Sequence, residues 1–304
     1  MRFIPKAKDE NSNIIEPKEL TDWKEENKAK LEEWSNDSTI TGTHMWDSKP
    51  DSEKKFEKIK EKLIKEQGYI CCYCGSRIKE GGNTRIEHLL PKSKEEYKNL
   101  TFDYGNLLAS CQGGTKYIIH KVEENETLES IAEKYGVSIH QLEEVYVDTP
   151  KEIIEKYAKY DYDLDNLQVG DRIIIIPQAD KKQQHCDNRK GNEEIDITPL
   201  QKDCVSKFSF DEQGKIRISD EVKKTVKVLG LNDNTLLVKN RETIVEKYRK
   251  ISRNILNKHK TKPNAKQLIE KDLTKLILHF NTPNSSSKEL TPFCFVKISV
   301  LQGN

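Results

Sequence analysis

Seven cysteines, four of them at positions that could share one ion, carry the first recognisable chemistry in this 304-residue sequence. Cys71 and Cys74 form a CxxC, which is half of a zinc site. Cys111, in Ala109-Ser110-Cys111-Gln112-Gly113-Gly114, and Cys186, in His185-Cys186-Asp187, are the candidates for the other half, with 74 residues between them. Setting aside segment 117–177, whose composition differs from its flanks, leaves 13 residues, a plausible excursion between ligands. Zinc is borderline-soft and tetrahedral, and a shell of four thiolates leaves no open position, so its role would be structural. An odd set of cysteines in a reducing compartment reads as metal ligands plus buried thiols, not as paired disulfides. Cys72, Cys204 and Cys294 read as packing residues. His185 stands as an alternative ligand in place of one cysteine, and the competing reading makes all seven sulfurs buried apolar thiols.

Between the half-sites lie Glu87-His88 and, 18 residues after the histidine, Asn106; Asp187 follows the last cysteine, and Lys190-Gly191 come shortly after it. Phosphodiester hydrolysis needs a base to deprotonate water, a group to orient that base, and a divalent cation against the scissile phosphate. These residues could supply all three. A His–Asn pair by itself is most often structural, so the surrounding cysteines give the set its chemical interest.

The elements that must position these groups follow from pattern. Residues 1–68 read as mostly helical after a short extended start: Leu20, Trp23, Leu31 and Trp34 fall at near-helical spacing, and Phe56, Ile59, Leu63 and Ile64 give a second stripe ending at Gly68. Tyr69 to Gly75 read as a tight turn between short strands, and Arg85 to Leu90 as a strand entering a loop. Segment 117–177 implies strand, helix, helix, strand, with the second helix around Ile139 to Val145 and a polar connection from Tyr157 to Asp165. Helices return from 213 onward, broken at Leu229-Gly230-Leu231-Asn232, with Ile244, Tyr248, Ile251 and Ile255 on one face.

Composition bounds the partners. Apolar residues make up 34% and charged residues also 34%, with three Trp, eleven Tyr and eight Phe, enough to pack roughly two domains. Lys plus Arg is 52 against 51 Asp plus Glu, so bulk charge does not mark a polyanion binder. One local patch stands out: Lys247 to Lys266 holds eight Lys/Arg, one His and no acid. Lys247, Arg249, Lys250 and Arg253 are its candidate nucleic-acid contacts, with a solvated helix face as the equal alternative. The longest aliphatic run, Ile173 to Ile176, is too short for a membrane helix. The charged start Met1-Arg2-Phe3-Ile4-Pro5-Lys6 lacks a secretory pattern, so a cytoplasmic location is expected.

The order CxxC, Glu-His followed by Pro91-Lys92-Ser93, Asn106-Leu107-Leu108, Cys111, then Cys186-Asp187-x-x-Lys190-Gly191 resembles the zinc-stabilised HNH endonuclease, or ββα-metal, motif. It is similar in particular to the HNH proteins associated with retrons and the Septu antiphage system. The likeness rests on the Met-Arg-x-Ile start, Gln67 to Cys74, Ile86-Glu87-His88, His185-Cys186-Asp187 and Leu229 to Asn232, and covers most of 1–116 and 178 to about 250. The resemblance implies that His88 is the general base, that Asn106 holds the loop orienting its imidazole, and that Glu87 and Asp187 bind one catalytic Mg2+ or Mn2+ separate from the zinc. It also implies that Lys190 contacts phosphate, that the products carry 5′-phosphate and 3′-hydroxyl ends, and that a companion ATPase assembles with the chain.

Segment 117–177 resembles a LysM module through Tyr117-x-x-x-x-Val122, Glu126-Thr127-Leu128-x-x-Ile131-Ala132-x-x-Tyr135-Gly136-Val137, and Leu167-x-Val169-Gly170-x-x-Ile173-x-Ile175-x-Pro177. That implies a βααβ fold and, for the family, N-acetylglucosamine glycans. Asn125-Glu126-Thr127 stands where Gly-Asp-Thr is usual and the customary Asn near Val145-Tyr146 is missing. A structural or protein-contact role therefore ranks above sugar binding.

The expectation is thus an α+β chain with a ββα-metal (HNH) core and a structural four-cysteine zinc site. Its domains are a helical region 1–68, core 69–116, insertion 117–177, core 178–212 and a mainly helical region 213–304. The expected activity is DNA hydrolysis, with RNA less favoured as substrate. The alternatives are a non-enzymatic zinc-stabilised nucleic-acid-binding or scaffold subunit, or a glycan-sensing adaptor.

Overall fold

The computed structural model describes residues 1–50, 54–80, 84–113, 118–135, 168–175 and 184–303. The amino-terminal stripe divides into two helices, α1 (Lys18–Glu26) and α2 (Lys28–Asn36), followed by α3 (Gly42–Asp47) and α4 (Lys55–Glu66). At Asn27 the backbone leaves helical geometry (φ −110°, ψ 16°), and the Trp23 carbonyl accepts both its side-chain amide at 2.8 Å and its own N–H at 3.1 Å. Leu20 and Trp23 on α1 and Trp34 on α2 are buried. Phe56, Ile59, Leu63 and Ile64 on α4 are also buried, at the spacing one helix face requires. Gly68, at φ +64°, ends this run: a Cβ there would come within 2.7 Å of Leu290 Cγ.

Two strands, β1 (Thr84–His88) and β2 (Leu107–Cys111), pair antiparallel with Glu87 opposite Leu108 and His88 opposite Leu107. Between them the chain makes two 3-10 turns, Glu95–Leu100 and Tyr104–Asn106. Leu107, Leu108 and Ala109 are fully buried, joining the hairpin to the core that holds α1 and α4.

The chain divides into two compact units, residues 1–113 with 185–304, and residues 114–184. In the first, its two segments meet where the second unit interrupts them: the His185 N–H donates to the Gly113 carbonyl at 3.3 Å. Gly113, at φ +71°, permits this approach, since a Cβ would lie 1.6 Å from the His185 carbonyl oxygen. The second unit contains β3 (Ile118–Lys121), α5 (Leu128–Tyr135) and β4 (Arg172–Ile175), with β3 and β4 antiparallel. Leu128, Ile131 and Ala132 of α5 are buried, as is Ile173. Glu126 gathers His120 Nε2 at 2.6 Å, Lys134 Nζ at 2.9 Å and the Glu123 N–H at 2.9 Å. Asn125 stands at φ +66°, the left-handed conformation that glycine would otherwise supply and that asparagine tolerates. The helix expected around 139–145, the connection 157–165 and the final Ile176-Pro177 lie outside the described residues.

After the second unit come a five-residue helix, α6 (Cys186–Lys190), and four more: α7 (Asp220–Val228), α8 (Thr235–His259), α9 (Ala265–Asn281) and α10 (Cys294–Leu301). Asn234 caps α8 by accepting the Leu237 N–H at 2.8 Å. The first unit is therefore a mixture of helix and a small antiparallel hairpin, and none of the described helices is long and apolar enough to cross a membrane.

Candidate functional site

The CxxC turn is closed by its own backbone: Cys71 N–H donates to the Ser76 carbonyl at 2.9 Å and Gly75 N–H to the Cys71 carbonyl at 3.1 Å. Gly75, at φ +72°, lies under the Phe295 ring, where a Cβ would come within 2.5 Å of it. Cys111 ends β2 and Cys186 begins α6. The four Sγ atoms of Cys71, Cys74, Cys111 and Cys186 lie within 4.8 Å of one another. Cys71 and Cys186 sulfurs are 3.8 Å apart, and those of Cys74 and Cys111 3.7 Å. Tetrahedral zinc with bonds of about 2.3 Å requires sulfur–sulfur edges of about 3.8 Å, so the donor set fits. Sulfur hydrogen bonds from Cys111 and Cys186 pull the Cys74 thiol down to about 6. The Cys111 N–H also points at Cys71 Sγ from 3.3 Å. His185 is beside this cluster, not in it: Nδ1 is 3.1 Å from Cys186 Sγ and 3.9 Å from Cys111 Sγ. Cys72, Cys204 and Cys294 are buried within the core.

Alternation along β1 sends Arg85 and Glu87 to one face and His88 to the other. On the first face, Arg85 Nε approaches Asp187 at 3.8 Å. Glu87 Oε1 accepts from the Tyr73 hydroxyl at 2.9 Å and from Lys190 Nζ at 3.0 Å. Burial, with the Asp187 carboxylate next to it, pushes the Glu87 carboxyl up to about 8 against the opposing pull of Lys190. Two carboxylates from distant parts of the chain thus act on one another, with Lys190 and Arg85 as the cations beside them.

On the second face, His88 Nε2 donates to the Thr101 carbonyl at 3.0 Å, which leaves Nδ1 as the acceptor. Trp46 of α3 meets the imidazole edge-on, with centroids 4.5 Å apart. Burial, helped by the cations Lys92, Lys190 and Lys49, pushes the imidazole down to about 3. The charges that act on it most are therefore those of lysines. Asn106 braces the loop that supplies Thr101: its Oδ1 accepts the Leu90 N–H at 2.7 Å, and its Nδ2 donates to the Leu90 and Leu100 carbonyls at 3.0 and 3.2 Å.

Lys190 differs from its expected place as a phosphate contact. It is 1% exposed and spends its ammonium on Glu87 and on the His88 carbonyl, 3.0 Å away, so it links the two faces of the strand end from inside. The basic residues of α8 are not brought to this site by any described contact. Lys247, Lys250 and Arg253 are exposed, while Arg249 is paired with Glu212 at 2.8 Å. Sequence reasoning missed Tyr73, Trp46 and Thr101. Tyr73 sits inside the CxxC, which was a usable signal; the other two depend on contacts that no local pattern announces.

A LysM domain model matches residues 120–145, the stretch that includes α5 and the His120–Glu126 pair. No curated protein matches the chain.

Proposed function

We propose that this chain is a metal-dependent endonuclease of the HNH type acting on DNA, and the nuclease subunit of a Septu- or retron-type antiphage system that works with a companion ATPase. One observation carries the reading: Glu87 and Asp187, distant in sequence, have their carboxylates together at the end of the strand that also presents His88. The four-sulfur cluster supports it, because Cys186 precedes Asp187 and an ion there would fix α6 against β2. The succession β1, β2, α6 is compatible with a ββα-metal layout.

In this reading Glu87 and Asp187 would hold Mg2+ or Mn2+, which would supply positive charge against the scissile phosphate and the departing 3′ oxygen. The remaining work belongs to side chains. Thr101 fixes the His88 tautomer, and the low proton affinity keeps the imidazole neutral at physiological pH, with Nδ1 available to take a proton from water. An anionic phosphate beside Lys92 and Lys49 would offset their effect and raise the basicity of His88 when substrate is present. Asn106 keeps the Thr101 loop from yielding. The expected ends are 5′-phosphate and 3′-hydroxyl.

Nicking of supercoiled plasmid with Mg2+, Mn2+ or EDTA, with and without a Septu-type companion ATPase, tests the proposal. Metal-dependent nicking that His88→Asn abolishes supports it. Silence under every condition, with the companion ATPase present, leaves a zinc-stabilised scaffold or nucleic-acid-binding subunit.

A second reading attaches to the LysM match at 120–145. The module serves as a structural or protein-contact element in preference to a glycan sensor. Saturable heats on titrating the full chain with chitooligosaccharides would reverse that order.

A further inference from the structure

Arg241 is on α8, 25 residues of mostly solvent-facing helix, yet it is only 2% exposed. Its Nη2 donates to the Leu231 carbonyl and lies 3.4 Å from Asn232 Oδ1, and its guanidinium is 5.6 Å from the Phe210 ring centroid. Its Nε is buried with no partner. Among the described residues none of the ion pairs includes Arg241. A buried cation without a counter-charge is strongly disfavoured, and a guanidinium does not escape by losing its proton.

The Leu229–Asn232 turn ties the guanidinium to the sulfur cluster. The Cys186 N–H donates to the Leu229 carbonyl at 3.0 Å, so the turn that receives the guanidinium also receives a cysteine of the sulfur cluster. Cys74 and Cys186 are close enough that their sulfurs, when charged, hold the Arg241 proton against the effect of burial, more than Asp211 does. Four neutral thiols offer it little. Four thiolates around a divalent ion carry a net charge of minus two, in an environment where Cys71, Cys74 and Cys186 are each at most 2% exposed. The buried guanidinium and the buried dianion then satisfy each other across a medium that screens poorly.

We propose that Arg241 is the built-in counter-charge of a doubly negative four-thiolate metal centre, and that it couples helix α8 to metal occupancy. The inference concerns the sulfur cluster alone and stands whether or not the chain cuts DNA. It assigns all four cysteines as charged ligands, since a neutral histidine in one position would leave half the negative charge.

The test uses full-length protein. Arg241→Met keeps the length and removes the charge; Arg241→Lys keeps the charge and changes the hydrogen bonding. Zinc affinity is read by competition with a chromophoric chelator, and thermal unfolding is followed for zinc-loaded and zinc-stripped protein. The expected result is a zinc affinity at least tenfold weaker in the methionine variant, a loss of thermal stability larger in the loaded than in the stripped protein, and recovery of most of the affinity with lysine. Equal losses in both states with unchanged zinc affinity would overturn the proposal and make Arg241 a packing residue. If the methionine variant does not fold, the lysine variant decides: affinity within about threefold of wild type supports the charge argument, and a loss as large as tenfold, or failure to fold, refutes it.

Discussion

Lys190 and Glu87 form an ion pair at 3.0 Å with side chains only 1% and 5% exposed, and the same ammonium donates to the His88 carbonyl. Removing one member of such a pair strands the other, at a cost of about 3–5 kcal/mol. Glu87 has a partial escape, because burial and the neighbouring Asp187 carboxylate raise its proton affinity, so that it can take up a proton once Lys190 is gone. Lys190→Met is therefore expected to cost nearer 3 kcal/mol in urea unfolding at neutral pH. Adding Glu87→Gln should restore part of it. Strict additivity of the two substitutions would show that they do not act on each other.

Substituting His88 tests chemistry and packing together unless the replacement is chosen for shape. The ring fills space against Trp46 and satisfies the Thr101 carbonyl. Alanine would leave a cavity and an unpaired buried carbonyl, a destabilisation of about 2–4 kcal/mol. His88→Asn retains a donor, and its expected outcome is loss of metal-dependent nicking with a melting temperature within a few degrees of wild type. Nicking at more than a tenth of the wild-type rate would remove His88 from the base role.

The sulfur cluster predicts one tightly held divalent ion per chain. Cys111→Ser, at the least buried of the four ligands, should reduce bound zinc below half an equivalent and lower the melting temperature. Cys72→Ser, next to the cluster in sequence but packed in the core, should retain full zinc while losing some stability. Elemental analysis with thermal unfolding separates the two. Full zinc content in Cys111→Ser would mean that His185 or another group takes its place.

How far the sequence discloses all this depends on the range of each contact. The CxxC and the subtraction of 117–177 led to four cysteines whose sulfurs prove to lie together, because ligand spacing is a local property once an insertion is recognised. The α1–α2 break was hidden, since hydrophobic spacing continues across it and only the Asn27 backbone departs from helical geometry. Lys190 read as a phosphate contact, which needs an exposed ammonium, as most lysines have. Its burial is decided by Glu87, far away in the chain. Arg241 lies on an amphipathic, basic helix where nothing in the pattern separates it from its exposed neighbours, and only the arrival of the 229–232 turn and the sulfurs makes it different.

Lys297 offers a pH signature. Its ammonium lies 5.8 Å from the Tyr248 ring and 5.2 Å from the Phe280 ring. Burial pushes it down from an ordinary 10.5 to about 8, against the pull of Cys294 and with the help of Lys247 and Arg77. Between those values the unfolded chain keeps a proton that the folded chain has released, so this group adds stability as pH rises through the window and loses it as pH falls. Relative to Lys297→Met, wild-type protein should gain unfolding free energy between about pH 8 and pH 10. A difference that stays flat across that range would show that the rings compensate the burial in full.

The basic run on α8 separates into residues already neutralised and residues still free to meet a polyanion. Arg249 is held by Glu212 at 2.8 Å, and Lys258 and His259 share Asp272 at 3.1 and 2.9 Å. Lys250 and Arg253 are exposed. If this face meets the DNA backbone, Lys250→Glu with Arg253→Glu should weaken binding and reduce the slope of log affinity against log salt by about two, roughly one for each lost phosphate contact. Arg249→Gln should do much less, because its charge is spent within the protein. Fluorescence anisotropy of a labelled duplex over a fourfold range of salt measures both quantities. Unchanged affinity and slope in the double variant would make this face a solvated helix surface and place DNA contact elsewhere, with Lys92 and Lys49 beside His88 the next cations to reverse.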